Sequence, residues 1–310
     1  MKSLLLRITL YFFFFLPYLN TTSQNLIPNA GFEYYTTCPT DKYHYSPLAI
    51  GWINPSKEGV RTTPDFYHSC GEEDYQTPKN RYGMVMPYGG EGYAGLLNRN
   101  WWREYITIRL KEPLQPGKEY KASIFVQATD TFGSIIKNIG MHFSKKIPKQ
   151  KGTKPLKNTD IITPDGNFIT PQIKNSTNDY IPIGKWVKIE GTFRAKGGEK
   201  FITIGSFGRN VDHKLVKHIK NITDPVLDIN TSSNKGSSYI YIDNVNTTPI
   251  ERPKYKLPVK GEIKKLDYVY FRFDKADLLP ASFKELNLLL EIIKRKKLVK
   301  IEIIGHTCKG

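Results

Sequence analysis

Few residues in this chain stand in patterns that perform chemistry. The 310-residue sequence contains no Gly-x-Ser-x-Gly elbow, no His-Glu-x-x-His pair and no phosphate-binding glycine loop. The usual signals of acyl-transfer, zinc-hydrolase and nucleotide enzymes are therefore missing. Six histidines (His44, His68, His142, His213, His218 and His306) are scattered, and His213 and His218 lie five apart in polar sequence, a poor start to a metal site. Glu72-Glu73-Asp74 offers three adjacent carboxylates. A glycosidase needs two carboxylates facing one another across a cleft, and this run reads as a solvated loop beside Cys70. What remains is recognition. Trp101-Trp102, followed by Arg103, is the best pattern for sugar stacking, because a pyranose face lies well on an indole ring. Trp52 and the tyrosines Tyr34, Tyr35, Tyr43 and Tyr45 either extend such a platform or fill a sheet core.

Composition limits who could be recognised. Hydrophobic residues are 39% of the chain and aromatics 13%, enough for a sizeable core and too much for general disorder. Forty-six Lys and Arg against 29 Asp and Glu leave a net charge of +17, which suits anionic surroundings. The first 24 residues read as a secretory signal: Lys2 and Arg7, the apolar runs Leu4 to Leu6 and Ile8 to Leu16, then Pro17 and a polar stretch ending at Gln24. Arg7 leaves the apolar run short of the ~20 residues a membrane span needs. No cysteine near position 20 supports a lipoprotein anchor. Export makes nucleic acid a poor partner and a disulfide chemically reasonable. Of three cysteines, Cys38 and Cys70 form the natural pair, both in Pro- and Thr-rich early sequence, and Cys308 is left over. A bridge closing roughly 30 residues contributes about 3–4 kcal/mol in the chain-entropy model.

The elements that must position these residues are mostly strands. Residues 25–250 read as one large β-sandwich of jelly-roll type. Alternating runs such as Tyr105–Leu110, Tyr120–Val126, Ile139–Phe143, Trp186–Phe193, Phe201–Ile204 and Tyr239–Ile242 are cut by Gly, Pro and Asn turns. Pro113–Gly117 and Lys196–Gly198 read as hairpin turns, and Lys145–Lys174 and Arg209–Lys235 as long surface loops. Residues 251–263 read as a linker. Residues 264–310 then follow a β-α-β pattern. Tyr268–Phe273 alternates as a strand, and Ser282 with Glu285 forms a capping box for a helix bearing Phe283, Leu286, Leu290 and Ile293. Leu298–Ile304 is a second strand. A unit this small does not bury both sheet faces, so the expectation is a partial domain.

Two stretches resemble known families. Phe271-Arg-Phe-Asp-Lys-Ala-Asp-Leu-Leu-Pro-Ala-Ser-Phe-Lys-Glu-Leu286, with Ile301-Glu-Ile-Ile-Gly-His-Thr307, resembles the first half of an OmpA-like peptidoglycan-associated domain. The resemblance implies non-covalent peptidoglycan binding, with Gly305, His306 and Thr307 carried over. It departs where the family places an acidic residue, for Cys308 stands there, and the family's ligand-gripping arginine would lie beyond Gly310. Asn25-Leu-Ile-Pro-Asn-Ala-Gly-Phe-Glu33 and Tyr239-Ile-Tyr-Ile-Asp-Asn-Val245 are similar to the first and last strands of galactose-binding-like jelly rolls. The intervening pattern looks like the region before OmpA-like domains in secreted Bacteroidetes proteins. The jelly-roll resemblance implies a structural Ca²⁺ held by Glu33 and Asp243, the alternative being that both carboxylates bond to turn amides or a nearby arginine. No other cofactor is implied.

Together these readings imply a non-enzymatic protein of the periplasm or outer membrane of a Gram-negative cell, tethering a β-sandwich to peptidoglycan. The alternative is a secreted carbohydrate-binding module with a glycan partner at Trp101 and Trp102 and a vestigial tail. A hydrolase on the same scaffold ranks last.

Overall fold

Alternation with a period of two decides which side of each strand is buried. The computed structural model describes residues 24–40, 49–56, 64–129, 131–157, 167–175, 179–215 and 236–250, then 266, 269–272, 275–280 and 282–296. The chain divides into two units, Met1–Ile250 and Glu251–Gly310. The predicted signal segment, residues 1–23 of it, lies outside the described residues, as do Tyr43, Tyr45 and the predicted strand Leu298–Ile304 with Gly305, His306 and Thr307.

In the first unit β1 is Trp52–Ile53, β2 Asp65–His68, β3 Lys79–Asn80, β4 Gly83–Met84, β5 Gly92–Asn98, β6 Tyr105–Arg109 and β7 Glu119–Ala128. There follow β8 Ser134–Ile136, β9 Ile139–Ser144, β10 Ile173–Lys174, β11 Val187–Arg194, β12 Phe201–Ser206, β13 His213–Leu215 and β14 Ser238–Pro249. Two five-stranded antiparallel sheets result, in the orders β1-β6-β12-β9-β10 and β11-β7-β14-β5-β2. They face one another across a core built from one phase of each strand. Ile106, Ile108, Ile202, Ile204, Met141 and Phe143 come from the first sheet, and Leu96, Ile124, Val126, Ile240 and Ile242 from the second. The predicted mainly-β sandwich is what the chain forms.

The turns differ from the sequence reading in one respect. Pro113–Gly117 and Lys196–Gly198 are not hairpins within a sheet. Each carries the chain from one sheet to the other, β6 to β7 and β11 to β12. They bind each other at that end of the sandwich, through Gly198 N–H to Leu114 O at 2.8 Å and Gly117 N–H to Ala195 O at 2.9 Å.

Both outer faces are also partly covered, which alternation alone does not reveal. On the first sheet the stretch read as a surface loop, Lys145–Lys174, supplies Leu156 and Ile169, which pack with Tyr105 and Phe207, and ends in β10. Apolar residues spaced too irregularly to signal an element still seek burial. Within Arg209–Lys235, His213–Leu215 pairs with β8, and residues 216–235 lie outside the described residues. On the second sheet Tyr67, Tyr93, Tyr239 and Tyr241 point away from the main core and are buried beneath the segment carrying Tyr75, Tyr82 and Val85. Every one of those four hydroxyls is bonded. Tyr67 and Tyr239 meet at 2.8 Å, Tyr239 donates to Asp65, Tyr241 donates to Asn80 Oδ1 at 2.9 Å, and Asn80 Nδ2 donates to the Tyr93 hydroxyl at 2.9 Å. Desolvation pushes the Tyr67, Tyr239 and Tyr241 phenols well above their ordinary range, so they act as neutral donors. Cys38 and Cys70 form a disulfide, with Cα atoms 5.6 Å apart.

In the second unit helix α1 spans Ser282–Lys296. The serine predicted to cap this helix also serves the segment before it. Ser282 Oγ accepts from Tyr270 N–H at 2.8 Å and donates to Tyr270 O at 2.9 Å, so its hydroxyl ties the helix start to the preceding segment. Within Tyr268–Phe273 the described residues form a single bridge, Phe271 to Leu278, rather than a strand. No described helix is long and apolar enough to cross a membrane.

The tyrosine layer generates a prediction. Gly95 lies on the outward phase of β5, and a Cβ there would run into the Tyr239 hydroxyl and ring. Gly95→Ala is expected to lower stability by about 1–3 kcal/mol, the usual range for overpacking. Urea unfolding checks it, and a change below about 0.5 kcal/mol, the size of an ordinary surface substitution, would refute the packing account.

Candidate functional site

The tryptophan pair sits at the tip of the tight turn that carries the chain from β5 in one sheet to β6 in the other. Asn98 and Arg103 form an isolated antiparallel bridge, and Arg99 and Trp102 close the turn, N–H to O at 2.7 Å one way and 3.2 Å the other. Two further contacts hold the tip from outside the turn. Thr153 Oγ1 donates to Trp101 O at 2.9 Å, and Arg103 N–H donates to Thr153 O at 2.8 Å. The side chains then diverge. Trp102 is half-buried, its Nε1–H given to Glu104 Oε1 at 3.1 Å, while the other Glu104 oxygen accepts Leu97 N–H at 2.8 Å. Trp101 stays 58% exposed, edge-on to Trp102 at 5.9 Å, with the Arg99 guanidinium 5.5 Å from its ring centre. An exposed indole on a turn fixed by this many bonds is pre-organised for contact.

Arg103 does work that its place in the sequence does not announce. It is wholly buried, and its guanidinium donates to the carbonyls of Arg99, within the turn, and Arg209, outside it. Burial pushes its pKa down to about 10. A buried guanidinium is costly unless its donors are used, and here the two terminal nitrogens are bonded while Nε has no partner among the described residues. Here Arg103 positions the turn that carries Trp101. Alternation puts Arg103 on the outward phase with Tyr105 and Arg109, so no sequence signal announced its burial. Trp52, by contrast, is no part of a platform. It is buried, stacks on Phe32 at 4.8 Å and donates to Asn29 O at 2.8 Å.

Glu33 and Asp243 come together across a turn formed by Tyr88 to Gly92. Both leave kinked backbone. Phe32 has φ +62°, which drives its ring into the core and turns Glu33 the other way, and Asn244 has φ +48° beside the bulge in β14. Glu33 accepts the N–H groups of Glu91 (3.1 and 3.0 Å) and Gly92 (3.3 Å), and Asp243 accepts those of Gly89 (3.1 Å) and Asn244. Bonding to turn amides, one of the two alternatives read from sequence, is thus what the structure contains. Oxygens of the two carboxylates also converge, lying 3.4 Å (Glu33) and 3.9 Å (Asp243) from the point where a Gly31 Cβ would sit. Gly90 must be glycine for two reasons: its φ is +67°, and a Cβ would strike the Glu33 carboxylate. Asp243 is fully buried, and desolvation pushes its carboxyl up to about 7, the Glu33 charge adding to the rise while the amides of Gly89, Asn244 and Tyr88 oppose it. Two converging carboxylates, one of them buried, fit a hard cation such as calcium, which takes carbonyl as well as carboxylate oxygens. Among the described residues no group of three His, Cys, Asp or Glu side chains gathers around one point.

Comparisons add a general likeness. No family model and no curated protein sequence matches this chain. Solved structures similar to it include the CBM22-1 xylan-binding domain of Paenibacillus barcinonensis Xyn10C, 10% identical, covering 72% of this chain and 93% of that one at a TM-score of 0.35. A putative sugar binding protein from Bacteroides thetaiotaomicron is 13% identical, with 73% and 100% covered and a TM-score of 0.35. The K1 cleaved adhesin domain of Lys-gingipain from Porphyromonas gingivalis is 11% identical, with 71% and 96% covered and a TM-score of 0.32. At these identities and scores the likeness assigns no ligand to this chain.

Proposed function

We propose that the β-sandwich of residues 25–250 is a non-catalytic glycan-binding module that contacts its ligand through Trp101. The observation that carries this reading is an indole 58% exposed at the tip of a turn pinned by Thr153, Arg103 and Glu104. An exposed aromatic held rigid binds at low entropic cost, and a sugar's C–H face supplies the complementary apolar surface. Arg99 beside the ring offers donors to hydroxyl or carboxylate groups. The Glu33–Asp243 pair does not suit acid–base hydrolysis, because a fully buried Asp243 is closed to a substrate. Tethering to peptidoglycan through Gly305, His306 and Thr307 rests on sequence resemblance alone, since that loop lies outside the described residues.

Affinity electrophoresis in soluble xylan, hydroxyethylcellulose, pectin and alginate tests the reading. At least one polymer is expected to retard the protein, and Trp101→Ala is expected to weaken that binding about tenfold, or 1.4 kcal/mol. Retardation unchanged in Trp101→Ala, or none with any polymer, would overturn it.

Glu33 and Asp243 would hold calcium as a structural clamp between the start of the domain, the turn before β5 and the last strand. A bound cation favours the ionised carboxylates and adds no reaction chemistry. The pH dependence follows from Asp243, whose carboxyl sits at about 7 when folded against an ordinary 3.8. Between those values the folded state holds more protons than the unfolded one, so cation-free protein should lose stability as pH rises from about 4 to about 7, by up to roughly 4 kcal/mol. Melting in EDTA across that range, then at pH 8 with millimolar calcium, checks both points. The expected outcome is a Tm that falls with pH and is restored by calcium. A Tm at pH 8 indifferent to calcium would refute the clamp.

A further inference from the structure

The outward phase of β7 contains one residue of the wrong kind. Glu119, Lys121, Ser123 and Gln127 are polar, but Phe125 between them is a large aromatic on the side away from the core. Tyr88 lies flat on it, ring centres 3.5 Å apart and planes within 17°. Tyr88 is still 44% exposed. With one face against Phe125, it is the opposite face of the tyrosine that meets solvent. Trp186 stands beside this pair edge-on, 6.4 Å from Tyr88 at 72°, and its Nε1–H is fixed on Met86 O at 2.9 Å. The tyrosine's own backbone is held as well, for the next residue, Gly89, donates to Asp243, which is the cross-strand partner of Phe125. Polar groups border the rings. The Lys188 ammonium lies 5.9 Å from the Phe125 centre and bonds to Glu190 at 2.7 Å, with Lys121 on the same carboxylate at 3.0 Å.

We propose that Tyr88, Phe125 and Trp186 form a second carbohydrate platform, on the outer face of β7 and β11, that takes a pyranose ring of a polysaccharide. The open Tyr88 face meets the sugar's C–H face, Trp186 bounds it on one side, and Lys188 and Glu190 supply a donor and an acceptor for ring hydroxyls. The exposed thioethers of Met84 and Met86 add adaptable apolar surface at the edge. This platform is separate from Trp101. Tyr88 precedes β5 and Trp101 follows it, so the two are at opposite ends of a seven-residue strand, roughly 20 Å of chain. The proposal rests on the reading of the sandwich as a glycan-binding module.

The test uses the full chain and the polymer that retards it most. The four tryptophans are Trp52, Trp101, Trp102 and Trp186. A Trp101→Phe/Trp102→Phe background therefore leaves only the buried Trp52 and Trp186 to emit. Titration of that protein with the polymer is expected to give a saturable change in tryptophan emission, and adding Tyr88→Ala is expected to abolish it. In affinity electrophoresis Tyr88→Ala should weaken binding about tenfold, Tyr88→Phe less than threefold, and Tyr88→Ala combined with Trp101→Ala should remove it. Emission unmoved by polymer, with Tyr88→Ala retarded like the parent while Trp101→Ala is not, would overturn the second platform and leave the glycan reading standing. No retardation of the parent protein by any polymer would overturn both.

Discussion

The structure depends on β14 being buried on both of its faces. Ile240 and Ile242 enter the core between the sheets, while Tyr239, Tyr241 and Asp243 point the other way into a layer that is also closed to solvent. The strand pairs with β5 on one side and β7 on the other, so its register fixes both neighbours at once. A slip of one residue would exchange isoleucines for tyrosines and leave phenols facing an aliphatic core without partners. Two groups of hydroxyl bonds, Tyr67 with Tyr239 and Asp65, and Tyr241 with Asn80 and Tyr93, make that exchange expensive.

The same strand organises what the protein presents. Where β14 bulges after Asp243, the carboxylate meets Glu33 and the glycine-bearing turn ahead of β5. Backbone in left-handed conformation at Phe32 and Asn244 is a local cost carried by good packing on either side: Phe32 on Trp52, and the core beneath Ile242. That turn orders Tyr88, and the far end of β5 orders Trp101. One central pair of strands thus sets the placement of both exposed aromatic features.

Strand identity was largely legible in the sequence, because period-two alternation in Tyr120–Val126 or Phe201–Ile204 is a direct image of sheet burial. The disulfide was legible too, from two cysteines in early turn-rich sequence. Loops were read less well. Leu156 and Ile169 lie in lysine- and threonine-rich sequence with no period, yet they close over Tyr105 and Phe207. Ser282 reads as a helix cap, and its hydroxyl also bonds the backbone of Tyr270, a partner twelve residues away that no local pattern indicates.

The sequence by itself determined the β class, the strand phases and the rarity of catalytic patterns, since each depends on residue type and near-neighbour spacing. Only the tertiary structure decided which aromatics are buried and which are offered. Trp52 and Trp101 are the same residue type in similar company, and one packs on Phe32 while the other stands in solvent. Phe125 and Tyr88 are 37 residues apart and meet face to face only because β14 places Asp243 beside one and bonds the turn that carries the other. Exposure is a property of what lies opposite in space, and long-range strand pairing supplies it.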